Sequence, residues 1–250
     1  MALTLADVTV RTGSALLLDG VTCAFAPGRV TAVLGPNGAG KSTLLRAAAG
    51  LIRADGRIEA DGTNVAGLPP RERARLIGYL PQDAAVHWNM RVADVVALGR
   101  HPHATSATDD AAAIAQAMTA TATTDFADRG IATLSGGERA RVLLARVLAG
   151  APRFLLADEP LAALDPAHQA DLVVRLRAVA AAGAAVVVVV HDLIQAQLAA
   201  DDAVLLDRGR IVAAGAAGAV LTPDNLARVF GIRLGSVEAD GRRLWVPVGR

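Results

Sequence analysis

The residues Gly35-Pro36-Asn37-Gly38-Ala39-Gly40-Lys41-Ser42-Thr43 fit the spacing G-x-x-x-x-G-K-[ST]. They follow the apolar run Val30-Thr31-Ala32-Val33-Leu34 and precede the helical Leu44–Ala49. A strand, a glycine loop and a helix in that order is the context such a loop needs to cradle phosphate. Glycines let backbone N–H groups turn inward to phosphate oxygens, and the helix presents its positive end to them. Lys41 reaches toward β- and γ-phosphates, and the Ser42 hydroxyl suits Mg²⁺. A plain glycine turn with a surface lysine would need neither the strand nor the helix.

Strand-like runs alternate with helical ones along the chain, the pattern of a mostly parallel α/β sheet. Arg57–Ala60 precedes Asp61-Gly62, a hairpin turn signal. Leu76–Leu80, Phe154–Ala157 and Val186–Val190 read as buried strands. Val204–Leu206 and Arg210–Val212 flank Arg208-Gly209 as an expected terminal hairpin. Phe154–Ala157 delivers Asp158-Glu159-Pro160 at its C-terminal end, the edge where open α/β sheets bind ligands. There Asp158 suits the Mg²⁺ shell and Glu159 suits a base that orients the attacking water. Val186–Val190 ends at His191 on the same edge, positioned to sense or stabilise transition-state charge. Gln82 follows Leu80-Pro81 and can bond the attacking water or Mg²⁺.

From about Asp83 to Gly150 strand signals vanish. Val92, Val95, Val96 and Gly99 fall at helical spacing, Ala111–Ala122 reads as a second helix, and Gly136–Gly150 as a third. These form a helical subdomain, about 83–150, inserted into a core of 1–82 and 151–250. Within it, Leu134-Ser135-Gly136-Gly137-Glu138 carries a capping box, Ser135 with Glu138 three residues on. It is a second glycine-bearing helix start suited to an anion. One chain thus offers two phosphate cradles.

Composition narrows the remaining classes. With 25 Lys+Arg against 24 Asp+Glu the net charge is +1, which gives no electrostatic case for nucleic-acid binding. Mean hydropathy is +0.39. The longest apolar run, Ala178–Val190, is nonetheless short of the roughly 20 residues a spanning helix needs. Alanine and valine supply the excess, as a sheet covered on both faces requires. Residues Met1–Asp7 lack the basic and apolar regions of a signal peptide. The single Cys23 excludes an internal disulfide, in keeping with the cytosol. Cys23 alternates with Val21 and Phe25 and is expected as a packed strand thiol.

Taken in order, these segments resemble the ATP-binding cassette family over essentially the whole chain. Gly35–Thr43 resembles the Walker A loop, Gln82 the Q-loop, and Leu134–Glu138 the signature motif. Asp158 and Glu159 resemble the Walker B aspartate and catalytic glutamate, Ala163-Leu164-Asp165 the D-loop, and His191 the switch histidine. The resemblance implies a P-loop NTPase (RecA-like) parallel-sheet core with an N-terminal antiparallel β region and the helical insert. It implies ATP and Mg²⁺ as ligands and hydrolysis as the reaction. It also implies a head-to-tail homodimer, in which the Walker A loop of one copy and the signature of the other enclose each ATP.

Some positions depart from the family. Val8-Thr9-Val10-Arg11 lacks the aromatic that usually stacks on adenine, and the Arg11 guanidinium offers a plane in its place. Leu161-Ala162 stand where hydroxyl residues are common, and Glu138 replaces the commoner glutamine while keeping the cap. Trp88–His103 is similar to the corresponding stretch of importer ATPases for siderophores, haem or cobalamin. In that family the region lies near the permease's coupling helix, so Val92, Val95 and Val96 are expected to be partly core and partly docking surface. His101 and His103, without a third ligand nearby, read as loop residues. The implied partners are integral-membrane permease subunits and, through them, a periplasmic or surface substrate-binding protein. The implied location is the cytoplasmic face of the cell membrane. Soluble family members acting in translation or DNA repair usually carry tandem cassettes or a coiled-coil insert, which this sequence lacks. An exporter ATPase remains the other alternative.

Overall fold

The computed structural model describes residues 2–82, 89–162, 164–239 and 241–249. Trp88, Ala163 of the D-loop and the Asp83 start of the insert lie outside them. The chain opens with β1 (Leu3–Thr12), β2 (Ala15–Phe25), β3 (Val30–Leu34), α1 (Lys41–Ala48), β4 (Asp55–Ala60) and β5 (Thr63–Asn64). It continues through α2 (Pro70–Leu76), β6 (Ile77–Leu80), α3 (Val92–Ala97), α4 (Ala107–Ala120), α5 (Gly136–Ala149) and β7 (Phe154–Asp158). Then come α6 (Pro166–Ala181), β8 (Ala185–Val189), α7 (Leu193–Ala199), β9 (Asp202–Asp207) and β10 (Arg210–Ala216). It closes with α8 (Ala217–Val220), α9 (Pro223–Phe230), β11 (Arg233–Ala239) and β12 (Arg242–Gly249).

The central sheet has the order β10-β9-β3-β8-β7-β6, with β9, β3, β8, β7 and β6 parallel and β10 antiparallel at the edge. Its inner strands are apolar throughout because both faces are covered. Val187 and Val189 of β8 join the layer containing Leu44 and Leu45 of α1. Val186 and Val188 pack on the other face with Leu172 and Leu176 of α6. The antiparallel sheet β2-β1-β4-β5 lies against the outer side of α1. Parallel order brings the C-terminal ends of β3, β7, β8 and β6 to one edge, and the site is built there.

Between β6 and β7 the helices α3, α4 and α5 enclose their own small core of Val92, Val95, Val96, Ala117, Met118, Ile131, Val142 and Ala145. Val92, Val95 and Val96 are fully buried in it. The expectation that they double as docking surface is therefore corrected: three valines on one stripe are the seam of the insert, and exposure falls on Leu98 instead. Two further readings need correction. Leu76 ends α2 rather than opening a strand, because Pro70 and Glu72 give that segment a helix start. The β9–β10 hairpin is not terminal, since α8, α9 and the β11–β12 hairpin follow it. Cys23 is a partly buried strand thiol, as read, and burial pushes its pKa up to about 12.

Candidate nucleotide site

β3 runs straight into Gly35, and the loop to Gly40 curls over the sheet edge. Gly40 holds φ +101, and a Cβ there would lie 2.7 Å from the Leu17 carbonyl oxygen, so only glycine closes the loop. The Gly209 amide of the β9–β10 turn donates to the Ala39 carbonyl at 2.9 Å and braces the loop from outside. Gly40 is the N-cap of α1, and no side chain caps that helix. Its first turn therefore presents backbone N–H groups to whatever anion sits in the loop.

Lys41 is buried, and its Nζ donates to the carbonyl oxygens of Gly35 at 2.9 Å and Pro36 at 3.1 Å. Burial pulls its pKa down from the ordinary lysine value, and the charges of Glu159 and Asp158 oppose that fall. Ser42, next on the helix, donates its hydroxyl to Asp158 Oδ1 at 2.9 Å. Asp158 is fully buried at the end of β7, and Tyr79 of β6 donates its hydroxyl to the other carboxylate oxygen, Oδ2, at 3.2 Å.

Glu159 follows with φ +52, a left-handed backbone that costs a non-glycine residue about 1–3 kcal/mol. Its two oxygens are held from opposite sides. Gln82 Nε2 donates to Oε2 at 2.8 Å, and His191 Nε2 lies 2.5 Å from Oε1. The structure thus brings together Gly35–Thr43, Gln82, Asp158, Glu159 and His191 from separate strand ends. A small cavity of about 110 Å³ beside them is lined by Glu159, Gln169, His191 and Gln195.

The second helix start is of another kind. Ser135 Oγ accepts from the Glu138 amide at 3.2 Å, and Glu138 Oε2 accepts from the Ser135 amide at 2.8 Å. The Ser135 amide holds the Glu138 carboxyl below the usual carboxylate range, with help from Arg129 at 3.2 Å. Ser135 and Gly136 are exposed, whereas Gly137 is buried. A Cβ on Gly137 would lie 2.0 Å from a His168 ring carbon, so glycine is required by that close approach. Asp165 does not reach the phosphate loop of its own chain through its hydrogen bonds. Its carboxylate caps α6 by accepting from the His168 amide at 2.9 Å and contacts His168 Nδ1 at 2.7 Å.

The sequence reading missed Tyr79, Arg46 and His168. A hydroxyl-bearing aromatic inside the apolar run of β6 was a usable signal, because a buried Tyr O–H needs a partner. Arg11 lies exposed near the end of β1, opposite Leu16. His103 Nε2 contacts the Gly150 carbonyl at 3.1 Å, a loop contact as expected. No cluster of His, Cys, Asp and Glu among the described residues could hold a metal by itself.

The sequence profile described as "ABC transporter" matches residues 18–162. The chain is 42% identical to the hemin import ATP-binding protein HmuV of Myxococcus xanthus, across 100% of this chain and 98% of that one. The chain belongs to the ABC transporter family. It is an ABC ATPase, and nucleotide binding comes with that membership. Identity is 43% to the cobalamin import ATP-binding protein BtuD of Halobacterium salinarum, over 94% of this chain but only 60% of that protein. Among solved structures, an inward-facing ABC transporter assigned to the metal-chelate type superposes with a TM-score of 0.85 at 28% identity. The match covers 99% of this ABC ATPase and 97% of that chain. No helix among the described residues is long and apolar enough to cross a membrane.

Proposed function

We propose that this ABC ATPase powers import of an iron chelate (siderophore or haem) or cobalamin through a separate membrane permease. In this reading it works as half of a head-to-tail homodimer at the cytoplasmic face of the cell membrane. The observation that carries the dimer is the contrast between a braced phosphate loop and an exposed, self-capped second helix start in one chain. The loop at Gly35–Thr43 is open to a covering surface, and the exposed start of α5 offers its remaining dipole to an anion; a second copy supplies each to the other. The similarity to a hemin import and a cobalamin import ATP-binding protein supports the cargo class. Cargo would arrive through a periplasmic or surface substrate-binding protein.

The residues suit Mg²⁺·ATP. Ser42 Oγ and Asp158 Oδ1 are hard oxygen donors at the mouth of the loop, and hard oxygens are what Mg²⁺ takes. Held by Ser42 and Asp158, Mg²⁺ would supply positive charge against that developing on the β- and γ-phosphates. Lys41 exchanges its loop carbonyls for phosphate oxygens, and the N–H groups at the start of α1 hold the same phosphates. Glu159 takes a proton from water as the water oxygen attacks the γ-phosphorus. The bond to the β–γ bridging oxygen breaks, and ADP leaves with the electron pair. One of Glu159's partners, Gln82 or His191, must yield an oxygen for that proton transfer. His191, released, can face the transferring phosphoryl group. Asp165 and the signature residues Ser135, Gly136, Gly137 and Glu138 act on the nucleotide held by the other copy.

A groove of about 510 Å³ beside α2, β6 and α5, lined by Leu51, Arg73, Tyr79, Leu98 and Arg146 among others, supports permease docking. Leu51 and Leu98 are 54% and 49% exposed there and give the groove two apolar side chains open to a partner. The test is the Glu159→Gln variant with ATP, measured by light scattering after size exclusion. A dimer that persists until ATP is removed is the expected result, and a monomer at saturating ATP would overturn the reading. Recovery of a many-helix permease from membranes checks the transport half, whereas recovery of ribosomes or DNA would overturn it.

A further inference from the structure

Asp158 presents one oxygen to the metal side of the site and one to Tyr79, and that division needs a cause. The Asp χ2 torsion is broad, so rotamer preference does not fix the carboxylate plane. Burial does not fix it either, because Asp158 is wholly enclosed yet its two oxygens are chemically equivalent. Hydrogen bonds must set the plane. Ser42 holds Oδ1 at 2.9 Å, and the Tyr79 hydroxyl holds Oδ2 at 3.2 Å. The direction of the Tyr79 bond is set in turn by Arg46, whose Nε donates to the phenol oxygen at 3.4 Å. With its oxygen accepting from Arg46, the phenol commits its proton to Asp158. Ser42 and Arg46 sit one turn apart on α1, at i and i+4, so one helix face supplies both ends of the chain of bonds. Tyr79 also has a second exposure: it is one of the residues lining the groove that holds Leu51 and Leu98.

We infer that Tyr79, braced by Arg46, is a positioning residue for the metal-site aspartate, and that it joins the groove wall to that carboxylate. A phenylalanine would fill the same space and line the same groove, but it would leave Asp158 Oδ2 without a donor in a dry setting, free to turn away from Ser42. The inference rests on the proposed role of Ser42 and Asp158 as oxygen donors to Mg²⁺.

The test uses the isolated full chain with a non-hydrolysable ATP analogue and Mn²⁺ as the metal probe. Nucleotide affinity is read in EDTA, and Mn²⁺ affinity is read by electron paramagnetic resonance of the nucleotide complex. Tyr79→Phe is expected to weaken Mn²⁺ about tenfold and broaden the bound signal while affinity in EDTA stays that of the wild type. Arg46→Gln, on an exposed face of α1, is expected to weaken Mn²⁺ less and in the same direction. It carries the test alone if Tyr79→Phe does not fold. Equal Mn²⁺ affinity in the wild type and the variant measured overturns the inference. Asp158→Asn separates the two readings: if it leaves Mn²⁺ affinity unchanged, the assignment of the metal site itself fails.

Discussion

The start of α1 and the start of α5 are both glycine-bearing helix N-termini, yet they solve the problem of their unpaired N–H groups in opposite ways. At α1 no side chain caps the helix, and the loop before it is locked by Gly40, by the Gly209–Ala39 bond and by a buried lysine. At α5 the serine and glutamate cap one another completely, and the loop residues face solvent. An uncapped helix start inside a rigid loop is a site that leaves its donors to a ligand. A self-capped start on the surface is stable alone and keeps its remaining dipole for an approaching surface. The chain therefore carries one socket and one lid, and in the proposed dimer the lid covers another copy's socket.

Five experiments bear on that contrast. The largest effect is expected at Glu159, where Glu159→Gln lowers turnover by about 10²–10⁴-fold with ATP still bound, as read by phosphate release and nucleotide filter binding. Loss of ATP binding would instead make Glu159 part of the socket. Next, Lys41→Ala removes the buried cation and is expected to weaken ATP by about 10–100-fold, the scale of charged hydrogen bonds. A fluorescent-nucleotide titration with unchanged affinity would remove Lys41 from the socket. Ser135→Arg is expected to abolish hydrolysis, and mixing it with Lys41→Ala restores activity, because one of the two composite sites then draws only intact halves. If the mixture stays inactive, both halves of a site come from the same chain and the contrast breaks.

Smaller effects probe the cap itself. Ser135→Ala is expected to lower stability by about 1 kcal/mol in a denaturant melt of the nucleotide-free chain. The Glu138 carboxyl titrates below its ordinary value of 4.5 because the Ser135 amide and Arg129 favour its charged form. Unfolded chains bind that proton at higher pH than folded ones, so the stabilisation is complete above 4.5 and fades as pH falls through the lower, folded value. Glu138→Gln retains an acceptor for the Ser135 amide but has no charge to lose. Its melting temperature should accordingly fall less with acidification than the wild type's over that window.

Much of the site was legible because it obeys local rules. The phosphate loop is a run of consecutive residues with a strand before and a helix after, and the capping box is a spacing of three. Asp158 and Glu159 were legible because an apolar strand ended on them. The docking role of Val92, Val95 and Val96 was misread because it was carried over from the resemblance for a whole region, whereas their helical spacing announced only the buried stripe they form. Tyr79, Arg46 and His168 escaped because their partners are distant: Tyr79 meets Asp158 across 79 positions, and His168 of α6 meets Gly137 of α5.

By itself the sequence determined that this chain alternates strands with helices, that it carries a glycine-rich loop between a strand and a helix, and which carboxylates stand at the strand ends, since each follows from short-range backbone and spacing preferences. Tertiary structure decided how those groups are held. The order β3-β8-β7-β6 sets Gln82, Glu159 and His191 against one another, and it lets Tyr79 fix the plane of Asp158. Neighbouring strands in a parallel sheet are joined through long crossovers, so contacts between their ends are written in strand order and register, not in adjacent residues.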